Sequence, residues 1–151
     1  MKQTKCDVRL VYSLDELKKA VDHVYDHMKN CKVITLTGSL GAGKTTLVRA
    51  LLRKCGITEE ITSPTFVCVN SYKNKKGITF NHFDLYRIKL LDEFVESGFD
   101  EYLYAPKSIA LIEWPDIIMP HLEKDVCHIT LEYNGADERI LSCSLKGCDD
   151  K

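Results

Sequence analysis

With 151 residues, 44% apolar and 28% charged, the chain is long enough to bury about two thirds of its unfolded surface, and one domain spanning residues 1–151 is expected. Its 21 basic and 22 acidic side chains leave a net charge of −1, which excludes the strong global field of a protein that grips nucleic acid by charge alone. No apolar run approaches a membrane span, and the polar start Met1-Lys2-Gln3-Thr4-Lys5 has no apolar segment behind it, so a cytoplasmic location is expected, with no membrane or DNA partner.

The first predicted element is a strand around Val8 to Tyr12. Ser13-Leu14-Asp15-Glu16 then has the spacing of a capping box, opening an amphipathic helix with Leu17, Val21, Val24 and Met28 on one face. Val33 to Thr37 is a short β-branched, apolar run suited to a buried strand. Thr46 to Lys54 has apolar residues at helical spacing and basic residues in its last turn, with Gly56 placed as a terminator.

Between that strand and helix stands Gly38-Ser39-Leu40-Gly41-Ala42-Gly43-Lys44-Thr45, a complete G-x-x-x-x-G-K-[ST] phosphate loop. The glycines let backbone N–H groups turn toward a phosphate where a Cβ would block the approach. Lys44 is placed to meet the β and γ phosphates, and the Thr45 hydroxyl suits Mg²⁺, a hard cation that prefers oxygen. The helix N-terminus behind the loop adds unpaired amides and a dipole that favour an anion. ATP and Mg²⁺ are therefore the expected cofactors, held by residues 38–46 from Gly38 through Thr46; no N-K-x-D sequence is present to read guanine.

Further on, Phe66 to Tyr72 and Ile78 to Asp84 read as strands joined by a turn at Lys73-Asn74-Lys75-Lys76-Gly77. Ser108 to Trp114 reads as another buried strand, and Val126 to Tyr133 with Arg139 to Leu145 as a hairpin around Asn134-Gly135. The predicted fold is α/β, a P-loop NTPase-type mixed sheet with antiparallel members, flanked by helices. Ile109-Ala110-Leu111-Ile112-Glu113 has the form of a Walker-B strand whose terminal acid reaches the metal, and Asp84 ends a second such segment.

Four motifs in order, Gly38 to Thr46, Ser63-Pro64-Thr65-Phe66, His82-Phe83-Asp84-Leu85-Tyr86-Arg87 and Ile112-Glu113-Trp114-Pro115, make the chain resemble the TsaE (YjeE) family. That family is the small P-loop ATPase of bacterial tRNA threonylcarbamoyladenosine (t6A) biosynthesis, and the resemblance covers essentially the whole chain. It implies ATP hydrolysis in support of the partners TsaD and TsaB, which modify adenosine 37 of ANN-decoding tRNAs, with tRNA met indirectly through that complex. It also implies roles: Lys44 as phosphate-binding lysine, Thr45 and Glu113 as magnesium ligands, Asp84 as the second acid at metal and water, and Thr65 as a switch-like residue near the γ phosphate. Lys44, Asp84, Glu113 and Thr65 are thus the expected catalytic set. Trp114 is assigned either to the nucleotide or partner face or to packing, and segments near Ser13 to Glu16 and Gly135 to Arg139 to the nucleotide. Ser39 departs from the acidic residue usual in the family, a small change where chiefly backbone is used.

Other residues are read more plainly. His82, between Asn81 and Phe83 on a strand, is taken as a structural histidine and left out of the catalytic set. Arg87 is as well explained by an ion pair as by catalysis, and Lys73, Lys75 and Lys76 by solvation of a turn. The seven cysteines, Cys6, Cys31, Cys55, Cys68, Cys127, Cys143 and Cys148, form no C-x-x-C pair and are expected to be reduced and mostly buried. Cys127 and His128 fall on opposite faces of a strand, against zinc binding. A small-molecule kinase and a regulatory nucleotide-binding module are the alternative functions, the first requiring phosphate on a product.

Overall fold

The computed structural model describes residues 5–122 and 124–147, without the side chains of residues 5–7. Seven strands, β1 (Lys5–Ser13), β2 (Val33–Thr37), β3 (Val69–Lys73), β4 (Thr79–Asp84), β5 (Ser108–Glu113), β6 (Val126–Asn134) and β7 (Glu138–Lys146), form one sheet in the order β1-β7-β6-β2-β5-β4-β3. The inner strands β6, β2, β5 and β4 run parallel, whereas β7 and β1 on one flank and β3 on the other pair antiparallel. The α/β fold with a mixed sheet is as expected from the sequence. Central strands must bury both faces, which is why β2 reads Val-Ile-Thr-Leu with no exposed position.

One face of the sheet is covered by α1 (Leu17–His27) and α2 (Lys44–Lys54). Ala20, Val21 and Val24 from the first, Met28 from the 3₁₀ turn that follows it, and Leu47, Val48, Leu51 and Leu52 from the second pack with Ile34, Leu36, Leu111 and Ile129 in one core. The expected capping box is present: the Ser13 N–H donates to Glu16 Oε1 at 3.0 Å and starts a short 3₁₀ turn ahead of α1. Gly56, at φ +94°, ends α2, and the Ile57 N–H reaches back to the Leu52 carbonyl at 3.1 Å.

The opposite face is covered by segments to which the sequence reading assigned no element. These are α3 (Leu91–Glu96) and 3₁₀ turns at Phe99–Tyr102 and Met119–His121. Phe83 of β4 meets Phe94 and Phe99 with ring centroids 6.0 Å apart in each pair, and Val33, Ala110 and Ile112 fill the rest of this second core.

Two strand expectations are corrected. The strand expected over Phe66 to Tyr72 begins only at Val69, because Pro64 to Cys68 make a turn closed by the Cys68 N–H on the Pro64 carbonyl at 2.7 Å, with Cys68 at φ +69°. Phe66 and Val67 are left 80% and 60% exposed. The strand expected to include Trp114 ends at Glu113, since Trp114 takes φ +55° and turns the chain away. The β6–β7 hairpin turns through Gly135, Ala136 and Asp137, with Asn134 opposite Glu138.

Candidate functional site

The loop from Gly38 to Gly43 leaves the C-terminal end of β2, the strand at which the chain's course reverses from one half of the sheet to the other. Crevices at such carboxyl ends are the usual ligand positions of open α/β sheets. Two glycines are required by the local geometry. A Cβ on Gly38 would lie 2.5 Å from the Leu131 carbonyl oxygen, so the loop can leave β2 only by pressing its backbone against β6. Gly43, at φ +102°, is the N-cap of α2 and lets the chain turn into the helix while Gly43 O accepts from the Leu47 N–H at 2.9 Å.

Lys44, at the first position of α2, is largely buried; its Nζ donates to the carbonyls of Gly38 at 2.5 Å and Ser39 at 3.2 Å and sits 3.9 Å from the centre of the Trp114 ring. Burial pushes its pKa below the usual lysine value, opposed by Glu113, Asp84 and Asp116. Thr45, one residue on, donates its hydroxyl to Glu113 Oε1 at 2.7 Å. Asp84 and Glu113 are register partners at the ends of parallel neighbours β4 and β5, both nearly buried. Asp84 Oδ1 accepts from the Tyr86 N–H at 3.0 Å, and the Thr65 hydroxyl lies 3.4 Å from Oδ2.

The structure therefore brings together every residue expected to be catalytic or metal-binding. A cleft of about 380 Å³ is lined by Gly41, Gly43, Lys44, Thr45, Thr65, Asp84, Glu113 and Trp114. Thr46 and Leu40 border it as well, whereas Ala42 is turned into the core and Ser39 contributes its carbonyl to Lys44. The segments expected to touch a nucleotide meet beside it: Tyr12, Leu14, Leu17, Ala136, Asp137 and Arg139 line a second cavity of about 320 Å³ that shares Gly41, Gly43 and Thr46.

A hard cation fits this donor set. The Thr45 hydroxyl and the two carboxylates present only oxygen, at the mouth of a loop suited to phosphate. Among the described residues no cluster of three or more His, Cys, Asp or Glu side chains forms a metal cage.

His82 is a buried, hydrogen-bonded residue, as expected from the sequence. Its Nε2 lies 2.5 Å from Glu113 Oε2, with both side chains buried, so it belongs to the site's support. Its place on the same strand face as Asp84, two residues away, was legible in the sequence, whereas its partner Glu113 was not. Trp114 lines the cleft with its ring 5.0 Å from that of Tyr86. Arg87 lies outside the cleft, its guanidinium 4.5 Å from the centre of the exposed Phe66 ring.

A phosphate loop between a parallel strand and a helix, facing acids on the adjacent strand ends, defines a P-loop α/β protein. Residues 11–141 match the family model described as threonylcarbamoyl adenosine biosynthesis protein TsaE. The chain belongs to the TsaE family. It is 36% identical to the tRNA threonylcarbamoyladenosine biosynthesis protein TsaE of Rickettsia felis over 129 residues, covering 85% of this chain and 74% of the relative. The identity to the protein of the same name from Bacillus subtilis is 36% over 115 residues, 76% of this chain and 70% of that one. The crystal structure of B. subtilis YdiB matches with a TM-score of 0.74 at 27% identity, covering 97% of this chain and 90% of that one.

Proposed function

We propose that this protein binds ATP with Mg²⁺ and hydrolyses it in support of t6A modification of adenosine 37 in tRNA, acting with TsaD and TsaB and meeting tRNA through them. The observation that carries the ATPase reading is the convergence of Lys44, Thr45, Thr65, Asp84 and Glu113 on one cleft, with Thr45 and Glu113 in contact at 2.7 Å. The t6A role is supported by the family and by the names of the relatives.

The proposed division of labour follows from the geometry. The amides of the loop and of the first turn of α2 donate to phosphate oxygens, and the Lys44 ammonium neutralises the charge that builds on the transferred group. Thr45 and Glu113 would hold Mg²⁺, which would supply positive charge to the triphosphate. Asp84 accepts a hydrogen bond from the attacking water and orients it in line, with the Thr65 hydroxyl beside it. The cavity between Leu14, Leu17 and the β6–β7 turn takes the nucleoside end. No arginine is placed inside the cleft among the described residues that line it, so the chain alone turns over slowly and its partners complete the site. The net charge of −1 fits contact with tRNA through a complex better than direct, tight binding.

The test follows the γ phosphate of labelled ATP with the protein alone, then with TsaD, TsaB and substrate tRNA. Free phosphate released faster with the partners is the expected result, and Lys44→Ala abolishes it in both settings. Label on a metabolite or protein would instead make the chain a kinase, and absence of turnover in every mixture would make it a regulatory nucleotide-binding module.

A further inference from the structure

We propose that His82 is a positioning residue for the metal-binding carboxylate of Glu113, which it holds from the side opposite Thr45. The proposal rests on the reading of the cleft as a magnesium nucleotide site and adds a residue to which that reading gave no role.

Glu113 is gripped on both oxygens. Oε1 accepts from the Thr45 hydroxyl at 2.7 Å, and Oε2 is 2.5 Å from His82 Nε2. The last torsion of a glutamate is otherwise broad, so these two contacts convert a freely turning carboxylate into one of fixed orientation. Because a carboxylate only accepts, Nε2 carries the proton of this bond. The imidazole is fully buried at the middle of β4, and its Nδ1 has no hydrogen-bond partner among the described residues. Here the ring's one polar contact is the site acid, reached diagonally across the β4–β5 pair from opposite Leu111.

Partners of this kind, which orient a metal ligand without touching the metal, typically change metal affinity when removed. The sharing of β4 is also informative: His82 and Asp84 lie on the same face two residues apart, so one strand both orients one acid and supplies the other.

The experiment compares the wild type with His82→Leu, His82→Asn and His82→Gln. The readouts are melting temperature, affinity for a non-hydrolysable ATP analogue in EDTA, and the Mn²⁺ concentration that half-saturates the analogue complex by electron paramagnetic resonance. Gln can place an amide donor near the position of Nε2, whereas Asn is too short and Leu has no donor. The half-saturating Mn²⁺ concentration is expected to rise about 10- to 100-fold in Leu and Asn and to stay within about threefold in Gln, with analogue affinity in EDTA the same in all four. Should the Leu variant fail to fold, the contrast between Asn and Gln decides. Leu and Asn variants that take Mn²⁺ like the wild type would overturn the positioning role, as would an equal loss in all three variants accompanied by weaker binding in EDTA. A wild type that binds the analogue with no help from Mn²⁺ would remove the magnesium reading itself, an outcome visible before any variant is made.

Discussion

Removing the Glu113 carboxylate leaves the Thr45 hydroxyl and His82 Nε2 without their shared partner, yet opens the change at the rim of the cleft instead of in either hydrophobic cluster. Glu113→Ala is therefore expected to lower magnesium-dependent turnover by ~100-fold, the upper end of what loss of even an outer metal partner produces, while the far-UV circular dichroism stays that of the wild type. Parallel loss of secondary structure and turnover would count against the assignment. Thiol chemistry gives a second residue-scale expectation. Burial pushes the Cys55 thiol up to about 11, so the thiolate is scarce at neutral pH. Cys31, Cys127 and Cys143 are buried, and contacts with Cys143 and Cys31, then burial, push the Cys127 thiol up as well. Iodoacetamide at pH 8 should leave these four unmodified in the native protein and label them in denaturant, as read by mass spectrometry; rapid native labelling of Cys55 would refute this. The expectation of mostly buried cysteines holds for the five whose side chains are described, three of them buried and two partly so, whereas the Cys6 side chain and Cys148 lie outside the described residues.

Elements differ in how they are specified. The strand, loop and helix around Gly38 to Lys54 were legible because each local signal, the buried run, the glycines, the helical spacing and the terminator, points the same way. Phe66 and Val67 misled for the same reason that makes them notable: strand-forming side chains lie in an exposed turn, where tertiary context overrides propensity. The stretch from Leu85 to Lys107 carries no long period, since its helix spans only Leu91–Glu96 and its apolar residues reach the core from separate turns. The partner of His82 was not legible because it is 31 residues away, across a strand pairing that no local pattern announces. For α2, Leu51 is 1% exposed against the sheet, and Leu51→Ala is expected to cost about 2–5 kcal/mol in denaturant unfolding. For the start of α1, the Ser13 backbone N–H, then its hydroxyl, holds the Glu16 carboxyl below the usual range. Its contribution is thus present above the unfolded pKa and is lost as pH falls through the lower folded value. Glu16→Ala should melt below the wild type at neutral pH, with the gap closing in acid; a gap independent of pH would show that the carboxylate is not responsible.

At the scale of the whole molecule, the site and the cores are placed at different depths of one sheet. The phosphate cleft stands at the carboxyl ends of β2, β4 and β5, while a cavity of about 410 Å³ at the other end, floored by Ile78, Phe80 and Ile109 and rimmed by Lys54, Lys75 and Lys76, has no residue in common with it. No helix among the described residues is long and apolar enough to cross a membrane. The sheet also pairs parts of the chain that are made far apart in time. Among the described residues β1, the earliest strand, has β7 as its sole neighbour in the sheet, and β7 is the latest. On a ribosome adding ~5–20 residues per second, β1 emerges roughly ten seconds before the strand that will hold it exists. The nascent chain must keep that edge from pairing with a stranger, and the sheet closes only as synthesis reaches its last strand.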